Sequence, residues 1–207
     1  MEKKYCSLTF DDGPNNEGDD TMSLMLDILA KHGIRASFFL IGNKITEKNK
    51  AVIKRAFDMG CDIENHSWNH YDMKTLTAEQ IRKEYERTDE AIIGITGKKP
   101  ELFRPPYISV SQTMLDTITT PFIRGHGCDD WITECTADMR YEKMMSKVAD
   151  GIMYLLHVND GNDATLEVVD RAVPALKSQG FEFVTAPELF ARKGIKMVND
   201  GSLWTIV

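Results

Sequence analysis

Short apolar segments alternate with longer amphipathic segments along this chain. Residues 36–41 form a near-continuous apolar run, which is typical of a strand buried on both faces. Residues 21–32 instead carry apolar side chains at helical spacing, and they are followed by Gly33, a residue type that often ends a helix. Because about seven strand–helix pairs follow one another, we predict a parallel sheet covered by helices.

The number of these pairs also limits the architecture. No linker, repeat or low-complexity segment interrupts the 207 residues, so we predict a single domain. A flavodoxin-like open sheet is the alternative, but its usual strand number of about five is too small here. We therefore predict an α/β fold, a distorted (β/α)7-8 barrel over residues 1–207, with an added β-hairpin at residues 195–207. The predicted strands are 5–10, 36–41, 61–65, 102–103, 122–123, 152–156 and 181–184, and the predicted helices are 21–32, 50–59, 77–96, 141–149, 164–178 and two that begin near 111 and 187.

Charge and hydropathy exclude several classes of partner. The net charge is −7, and no run of Lys or Arg alternates with aromatic residues. Nucleic acids and anionic membranes both require a basic surface, so neither is expected. No apolar run approaches the roughly 20 residues of a membrane span. The first strand begins within a few residues of Met1, which predicts a cytoplasmic protein as the sequence stands, or a secreted one if a leader has been lost. We also expect a monomer or weak homo-oligomer.

Polar side chains cluster at the carboxyl ends of the predicted strands. The first strand ends in two adjacent carboxylates, Asp11 and Asp12, and Gly13 and Pro14 then force a turn. The other polar candidates that follow strands are His66, His70, Arg104, Asp130 and His157. A random distribution would use both ends of the strands, whereas β/α barrels build their sites at this end. These residues are therefore predicted to form one site.

Two of these candidates have the spacing of metal ligands. If residues 65–73 form a helix, His66 and His70 place both imidazoles on one face, within reach of a single ion. A carboxylate from Asp11 or Asp12 is the natural third ligand, and such a set leaves a position open for water. Because neighbouring residues of a strand point to opposite faces, we expect one aspartate to bind the metal and the other to face the water.

Five motifs follow one another along the chain: Thr9-Phe10-Asp11-Asp12-Gly13-Pro14, His66-Ser67-Trp68-Asn69-His70, Arg104-Pro105-Pro106-Tyr107, Asp130-Trp131 and Leu155-Leu156-His157. In this order they resemble the motifs of the polysaccharide deacetylases of carbohydrate esterase family four, a family that includes chitin, peptidoglycan and nodulation-factor deacetylases and acetylxylan esterases. The resemblance covers roughly residues 5–190. It implies a metal-dependent hydrolase that removes N- or O-linked acetyl groups from an acetylated oligo- or polysaccharide, with one divalent ion, Zn²⁺ or Co²⁺.

The resemblance also implies a role for each matching residue. It implies that Asp11 is the general base, paired with Arg104, and that Asp12, His66 and His70 bind the metal. His157 is implied as the general acid, oriented by Asp130. The implied substrate contacts are Pro106, the backbone N–H of Tyr107, which holds the oxyanion, and Trp131 and Leu155, which line the acetyl methyl pocket.

One position departs from the family pattern. The family usually has a further aspartate three residues before the Asp130-Trp131 pair, where this chain has Gly127, and Asp129 is the candidate substitute. Two other functions remain open: a deacylase or amidohydrolase for a small non-sugar amide on the same fold, and a catalytically inactive carbohydrate-binding protein. Retention of every implied ligand, acid and base argues against the inactive protein.

Overall fold

The computed structural model describes residues 3–207 as an α/β fold whose strands and helices alternate. Three short 3₁₀ turns, Gly42–Lys44, Met73–Thr75 and Pro106–Ile108, lie between these elements. The elements in chain order are β1 (Lys4–Gly13), α1 (Thr21–His32), β2 (Ser37–Leu40), α2 (Lys50–Asp58), β3 (Asp62–Asn65), α3 (Ala78–Thr96), α4 (Gln112–Thr117), β4 (Phe122–Ile123), β5 (His126–Gly127), α5 (Ala137–Met145), β6 (Ile152–His157), α6 (Asp163–Ser178), β7 (Phe181–Phe183), α7 (Ala186–Lys193) and β8 (Leu203–Trp204).

Strand β1 lies at the centre of the sheet. It pairs in parallel with β6 along one edge, and with β7 and then β2 along the other. From β3, single bridges from Asn65 to Phe103 and from Phe103 to Phe122 lead to β4. The chain continues from β4 into β5, which pairs with β6. The strands and bridges thus lead around to β6, with β4 and β5 joined by the chain and not by pairing, and this arrangement agrees with the predicted distorted barrel.

The two faces of β1 differ in polarity because side chains alternate along a strand. Leu8 and Phe10 are fully buried in the main hydrophobic cluster, together with residues of α1 and α6. The alternate positions Thr9 and Asp11 are also buried, but they are polar. Burial of a polar side chain is costly unless a partner satisfies it, so this interior face of β1 requires polar partners within the barrel.

The C-terminal residues do not form the predicted hairpin. Leu203–Trp204 pairs in parallel with β4, and Ile206 forms an antiparallel bridge with Ile152 of β6. The tail thus fills the gap between β4 and the start of β6, and the Trp204 ring packs against Phe190 of α7 at 5.3 Å between centroids. The open edge of β4 is a better partner for the tail than the tail is for itself, because pairing there also buries an aromatic ring.

Helix boundaries follow the capping residues. The Thr77–Gln80 capping box predicted for α3 is confirmed, and so is the left-handed Gly33 at the end of α1. Helix α5 begins and ends about four residues before its predicted range, because the Thr136 hydroxyl accepts a hydrogen bond from the Met139 N–H and starts the helix there. Among residues 3–207, no helix combines the length and apolarity needed to cross a membrane.

Candidate active site

A cavity of about 520 Å³ opens at the carboxyl ends of β1, β3 and β6. It contains eight of the predicted site residues, whereas Arg104 and Asp130 are buried behind its wall. Pro105 lines the cavity, whereas Pro106, the predicted substrate contact, is buried and is not among the lining residues. The lining residues are Asp11, Asp12, His66, His70, Pro105, Tyr107, Ile108, Arg124, Gly125, Gly127, Trp131, Leu155 and His157.

The two aspartates reach the same cavity because β1 is irregular at its end. The register with β2 shifts between Asp11 and Gly13, so Asp12 is an additional residue in the strand, and its φ of 70° lies in the left-handed region. The alternation that would send Asp11 and Asp12 to opposite faces is therefore broken. Both carboxylates approach His66, whose Nε2 lies 3.7 Å from Asp11 Oδ2 and 3.6 Å from Asp12 Oδ1.

Residues 66–72 form a loop and not the predicted helix. The carbonyls of Ser67 and Trp68 accept hydrogen bonds from the N–H groups of Gly42 and Asn43, so they are not available for helical bonds. Left-handed φ values of 66° at Ser67 and 56° at His70 then turn the chain back on itself. The two imidazoles meet through this turn, with ring centroids 4.9 Å apart.

Helix α3 anchors this loop from behind. The Asn65 side chain donates to Asp89 Oδ1 at 2.7 Å and accepts from the Ser67 N–H at 2.8 Å. Glu84 accepts hydrogen bonds from both the backbone and the side chain of Asn69. These bonds fix the loop between the two histidines, so the spacing of their rings is set by tertiary contacts.

Asp12, His66 and His70 have the donor set and spacing of a metal site. One ligand atom from each lies within 4.8 Å of the others, and His70 Nε2 is 3.4 Å from Asp12 Oδ1. Asp12 Oδ1 is buried and has no hydrogen-bond partner among the described residues. An unpartnered buried carboxylate oxygen facing two imidazoles is a costly arrangement that a cation would satisfy, so these residues fit a divalent ion.

The protonation of His66 suits the same role. Its Nδ1–H donates to the carbonyl of Arg104 at 2.7 Å, which directs the lone pair of Nε2 into the cavity. Burial lowers the pKa of His66 to about 3 despite the opposing charge of Asp12. Burial likewise lowers the pKa of His70. Both rings are therefore neutral at physiological pH, as metal ligation requires.

Asp11 is held by Arg104 in a dry environment. The guanidinium donates to Asp11 Oδ1 at 2.5 Å and to the Thr9 hydroxyl at 2.7 Å, and neither Arg104 nor Asp11 is more than 2% exposed. The guanidinium also stacks over the Phe39 ring at 4.3 Å. A buried ion pair of this kind fixes the orientation of the carboxylate, with its second oxygen, Oδ2, directed toward the cavity.

His157 is bound to a buried carboxylate on the opposite wall. Its Nδ1–H donates to Asp130 Oδ1 at 2.8 Å, and its backbone N–H donates to Asp130 Oδ2 at 2.6 Å. Burial lowers the pKa of His157, but the hydrogen bond and charge of Asp130, with Asp11 and Asp12 adding, outweigh burial and raise it to about 9. In the metal-free site the ring is thus a protonated acid near neutral pH.

A buried arginine that the sequence patterns did not indicate supports this pair. Arg140 of α5 donates to the Thr165 hydroxyl at 3.1 Å and to Asn162 Oδ1 at 2.5 Å. Thr165 in turn donates to Asp130 Oδ2 at 3.2 Å, and Asn162 donates to the His157 carbonyl at 3.2 Å. Arg140 therefore connects both members of the His157–Asp130 pair to helices α5 and α6.

Two exposed aromatic side chains border the cavity. Tyr107 is 69% exposed, has a left-handed φ of 57°, and its ring contacts His70 at 4.8 Å. Trp131 is 55% exposed and lies edge-on to His157 at 5.7 Å. Leu155 is buried at the base of the cavity wall. Exposure of large rings at a cavity mouth is typical of surfaces that bind sugars or other flat ligands.

Gly127 makes room for one of these rings. A Cβ at this position would lie 2.9 Å from the Trp131 ring, so the indole occupies the space of a side chain there. Asp129 does not substitute for the absent aspartate, because it forms an ion pair with Lys143. The departure from the family pattern therefore changes the cavity wall and leaves the Asp12, His66 and His70 cluster unaffected.

Sequence reasoning missed several residues of this site. Thr9 and Pro105 lie within two of the motifs but were assigned no role, whereas Arg140 and the cavity-lining residues Ile108, Arg124 and Gly125 lie outside every motif. A further signal for Thr9 was its place two residues before Asp11 on the same face of β1. No pattern in the sequence indicated Arg140, since its partners lie 5 to 25 residues away.

The sequence model of the family described as polysaccharide deacetylase matches residues 1–120, more than half of the chain. The chain belongs to the polysaccharide deacetylase family. Among curated members of this family, a bifunctional xylanase/deacetylase from Pseudobutyrivibrio xylanivorans is 38% identical over all of the chain and 34% of its own length. A peptidoglycan-N-acetylglucosamine deacetylase from Listeria monocytogenes is 31% identical over 92% of the chain and 40% of its own length. The chain thus spans little more than a third of these two relatives.

Solved structures of the polysaccharide deacetylase family share the fold. The family-four domain of a multidomain xylanase from the hindgut metagenome of Trinervitermes trinervoides superimposes with a TM-score of 0.95 at 37% identity, over 99% of this chain and 98% of that one. An acetyl xylan esterase from Clostridium thermocellum, solved with a cobalt ion, gives 0.94 at 35% identity over 99% of both chains. The α/β architecture is therefore that of the family.

Proposed function

We propose that this protein is a divalent-metal-dependent deacetylase that hydrolyses acetyl groups, linked through oxygen or nitrogen, on an oligo- or polysaccharide. One observation carries the proposal. The cluster of Asp12, His66 and His70 shares a single cavity with the buried carboxylate of Asp11 and the carboxylate-bonded ring of His157. A metal site, a base and an acid around one cavity are the components of hydrolysis by activated water.

Asp12, His66 and His70 would hold the ion. A divalent ion in this set, Zn²⁺ or Co²⁺, would supply Lewis acidity, lowering the pKa of a water and polarising the acetyl carbonyl. The chain's own contribution is to keep both imidazoles neutral through burial and to leave Asp12 Oδ1 without a competing donor. The cobalt ion in the related esterase supports this assignment.

Asp11 is assigned as the general base. Its Oδ1 is occupied by Arg104, which leaves Oδ2 to accept the proton of the attacking water. The ion pair with the guanidinium holds the carboxylate in this orientation. The backbone N–H of Tyr107, which makes no backbone hydrogen bond within residues 3–207, is assigned to stabilise the negative charge that develops on the carbonyl oxygen.

His157 is assigned as the general acid. Its Nδ1 is bound to Asp130, which leaves Nε2–H to donate a proton to the leaving oxygen or nitrogen of the sugar. Trp131 and Leu155 border the space next to this ring, and we assign them to enclose the acetyl methyl group. The assignment follows from position, because both side chains present apolar surface to the cavity.

An acetylated carbohydrate is the substrate class that the surroundings favour. The exposed rings of Tyr107 and Trp131 offer flat apolar faces at the mouth of the cavity, on which a sugar ring stacks. The names of the relatives refer to xylan and to peptidoglycan, both of which are polysaccharides. These observations support a sugar substrate over a small amide.

The test measures metal content and acetate release on one preparation. Acetylated xylan, chitooligosaccharides and peptidoglycan fragments are compared with small non-sugar N-acetyl amides, with and without added Zn²⁺ or Co²⁺. We expect about one ion per chain and acetate release from at least one carbohydrate. Release from small amides alone would favour an amidohydrolase. No release from any substrate, with metal bound, would favour a binding protein.

A further inference from the structure

One cation on the cavity wall differs from its neighbours. Arg104 is paired with Asp11, the ring of His157 is bonded to Asp130, and Lys44 donates to the carbonyl of Asp12 at 2.9 Å. The exposed side chain of Arg124 lines the same cavity. Within residues 3–207, no carboxylate lies within 4.0 Å of its guanidinium, and no hydrogen bond from that group is formed.

Backbone hydrogen bonds fix the segment that carries this side chain beside the candidate site. The N–H groups of Arg124 and Gly125 both donate to the carbonyl of Trp204, at 2.9 and 3.0 Å. Gly125 has a φ of 84°, and a Cβ there would lie 3.0 Å from Leu155 Cβ and 3.2 Å from Arg104 Nη2. The segment that carries Arg124 is therefore held against two residues of the candidate site.

The protein offers no anion to Arg124 in this part of the wall. Gly127 has no side chain, Asp129 is paired with Lys143, and Asp130 is bonded to His157. The net charge of −7 provides no general attraction for anions, so an anion bound in the cavity would depend on a local cation such as Arg124. Arginine binds a carboxylate through two parallel, charge-assisted hydrogen bonds, so a carboxylate on a sugar is a well-matched ligand for it.

We propose that Arg124 selects an acidic substrate, in which a carboxylate is carried on, or next to, the acetylated sugar. The inference rests on the proposed deacetylase function and names the substrate class of the same site. Two sources share this chemistry: a uronic acid branch on a xylan-type chain, and the lactyl carboxylate of an N-acetylmuramic acid residue. Arg124 lines the same cavity as the exposed rings of Tyr107 and Trp131 and the reacting groups, and this placement suits recognition of a substituent on a bound sugar.

The test compares matched substrates that differ in one carboxylate. The first pair is an acetylated xylo-oligosaccharide with and without a uronic acid branch. The second is an N-acetylmuramic acid oligosaccharide and its derivative with the lactyl carboxylate converted to an amide. For each pair, kcat/KM is measured for the wild type, Arg124→Gln, Arg124→Lys and the control Arg82→Gln, which removes one charge from an exposed position on α3 outside the cavity.

We expect the wild type to prefer the acidic member of at least one pair, and the pair that shows the preference identifies the source. Arg124→Gln should lower the ratio of acidic to neutral kcat/KM by about tenfold or more, since a hydrogen bond to a charged group has that value. Arg124→Lys should retain part of the ratio, and Arg82→Gln all of it.

Two results would overturn the inference while leaving the proposed function standing. They are equal wild-type activity on both members of each pair, and an equal change of the ratio in Arg124→Gln and Arg82→Gln. Absence of acetate release from every substrate, with metal bound, would contradict the proposed function and the inference together.

Discussion

At the scale of single residues, the two consecutive aspartates have different surroundings. Asp11 is buried against the guanidinium of Arg104, whereas Asp12 is partly exposed and faces the two imidazoles. An additional residue in β1 and a left-handed φ at Asp12 produce this division. The two aspartates are chemically identical, so their different surroundings result from the backbone conformation at Asp12.

The division predicts opposite effects of two conservative changes. Asp11→Asn should keep about one metal ion per chain and lose most turnover, because it removes the proton acceptor and no ligand. Asp12→Asn should bind the metal weakly, because an amide is a poorer ligand than a carboxylate. Elemental analysis and kcat on one acetylated substrate measure both effects. Metal loss in Asp11→Asn with retention in Asp12→Asn would exchange the two assignments.

A second residue-scale prediction concerns His157 and the bond that is broken. An amine leaving group must be protonated to depart, a sugar hydroxyl needs less assistance, and a phenol needs almost none. His157→Ala should therefore reduce kcat/KM most on an N-acetylated oligosaccharide, less on acetylxylan and least on an aryl acetate, within the ~10²–10⁴-fold range of general-acid catalysis. Equal losses on all three substrates, with metal retained, would assign His157 to binding or structure.

At the scale of elements, helices α5 and α6 hold the acid in place. Arg140 reaches from α5 to Thr165 and Asn162, and these contact Asp130 and the backbone of His157. It also donates to the carbonyls of Cys135 and Ile132, in the loop that carries Trp131. The buried guanidinium thus stabilises three segments that meet only in the folded protein.

Arg140→Met is therefore predicted to impair proton donation as well as stability. Leaving several buried acceptors unpaired should cost about 2–4 kcal/mol of unfolding free energy. It should also lower kcat more on the N-acetylated substrate than on an aryl acetate, which a purely structural defect would not do. Urea denaturation and the substrate series measure the two effects.

The matched control is Arg171→Met. Arg171 also connects α6 to α5, through Asp138, but this pair is exposed and should contribute no more than about 1 kcal/mol. The same loss of stability in both variants, or equal losses of kcat on both substrates in Arg140→Met, would contradict a positioning role for Arg140.

At the scale of the whole molecule, His157 contributes to the free energy of unfolding in a pH-dependent way. In the metal-free protein, burial lowers the pKa of His157, but the bond to Asp130 outweighs burial and raises it from 6.5 to about 9. A raised pKa in the folded state stabilises the protein fully below pH 6.5, and this contribution is lost as the pH rises toward 9.

The difference in unfolding free energy between the wild type and His157→Gln should accordingly shrink from pH 6 to pH 9.5. Urea denaturation of both proteins in the presence of a chelator, across that range, measures it. The comparison cancels the titration of all other groups to first order. A difference that is constant or grows with pH would contradict the His157–Asp130 ion pair.

Local sequence signals were sufficient to predict most elements. The apolar run of β2, the capping box of α3 and the glycine after α1 all predicted their elements to within a residue or two, because each depends on contacts between near neighbours. The position of the polar candidates also followed from the sequence. In a parallel sheet every strand ends at the same side, so residues that follow strands converge.

The geometry of the site depended on contacts between distant residues. The bulge at Asp12, the turn between His66 and His70 and the Arg140 network arise from pairing and hydrogen bonds across the fold, which leave no periodic trace in the sequence. The tail pairs with β4 because that edge was open. The sequence by itself determined which polar residues converge at the strand ends. The tertiary structure decided which of them line the cavity, their distances and their protonation, and it left Arg124 without an anionic partner among residues 3–207, since all of these depend on burial and on partners far along the chain.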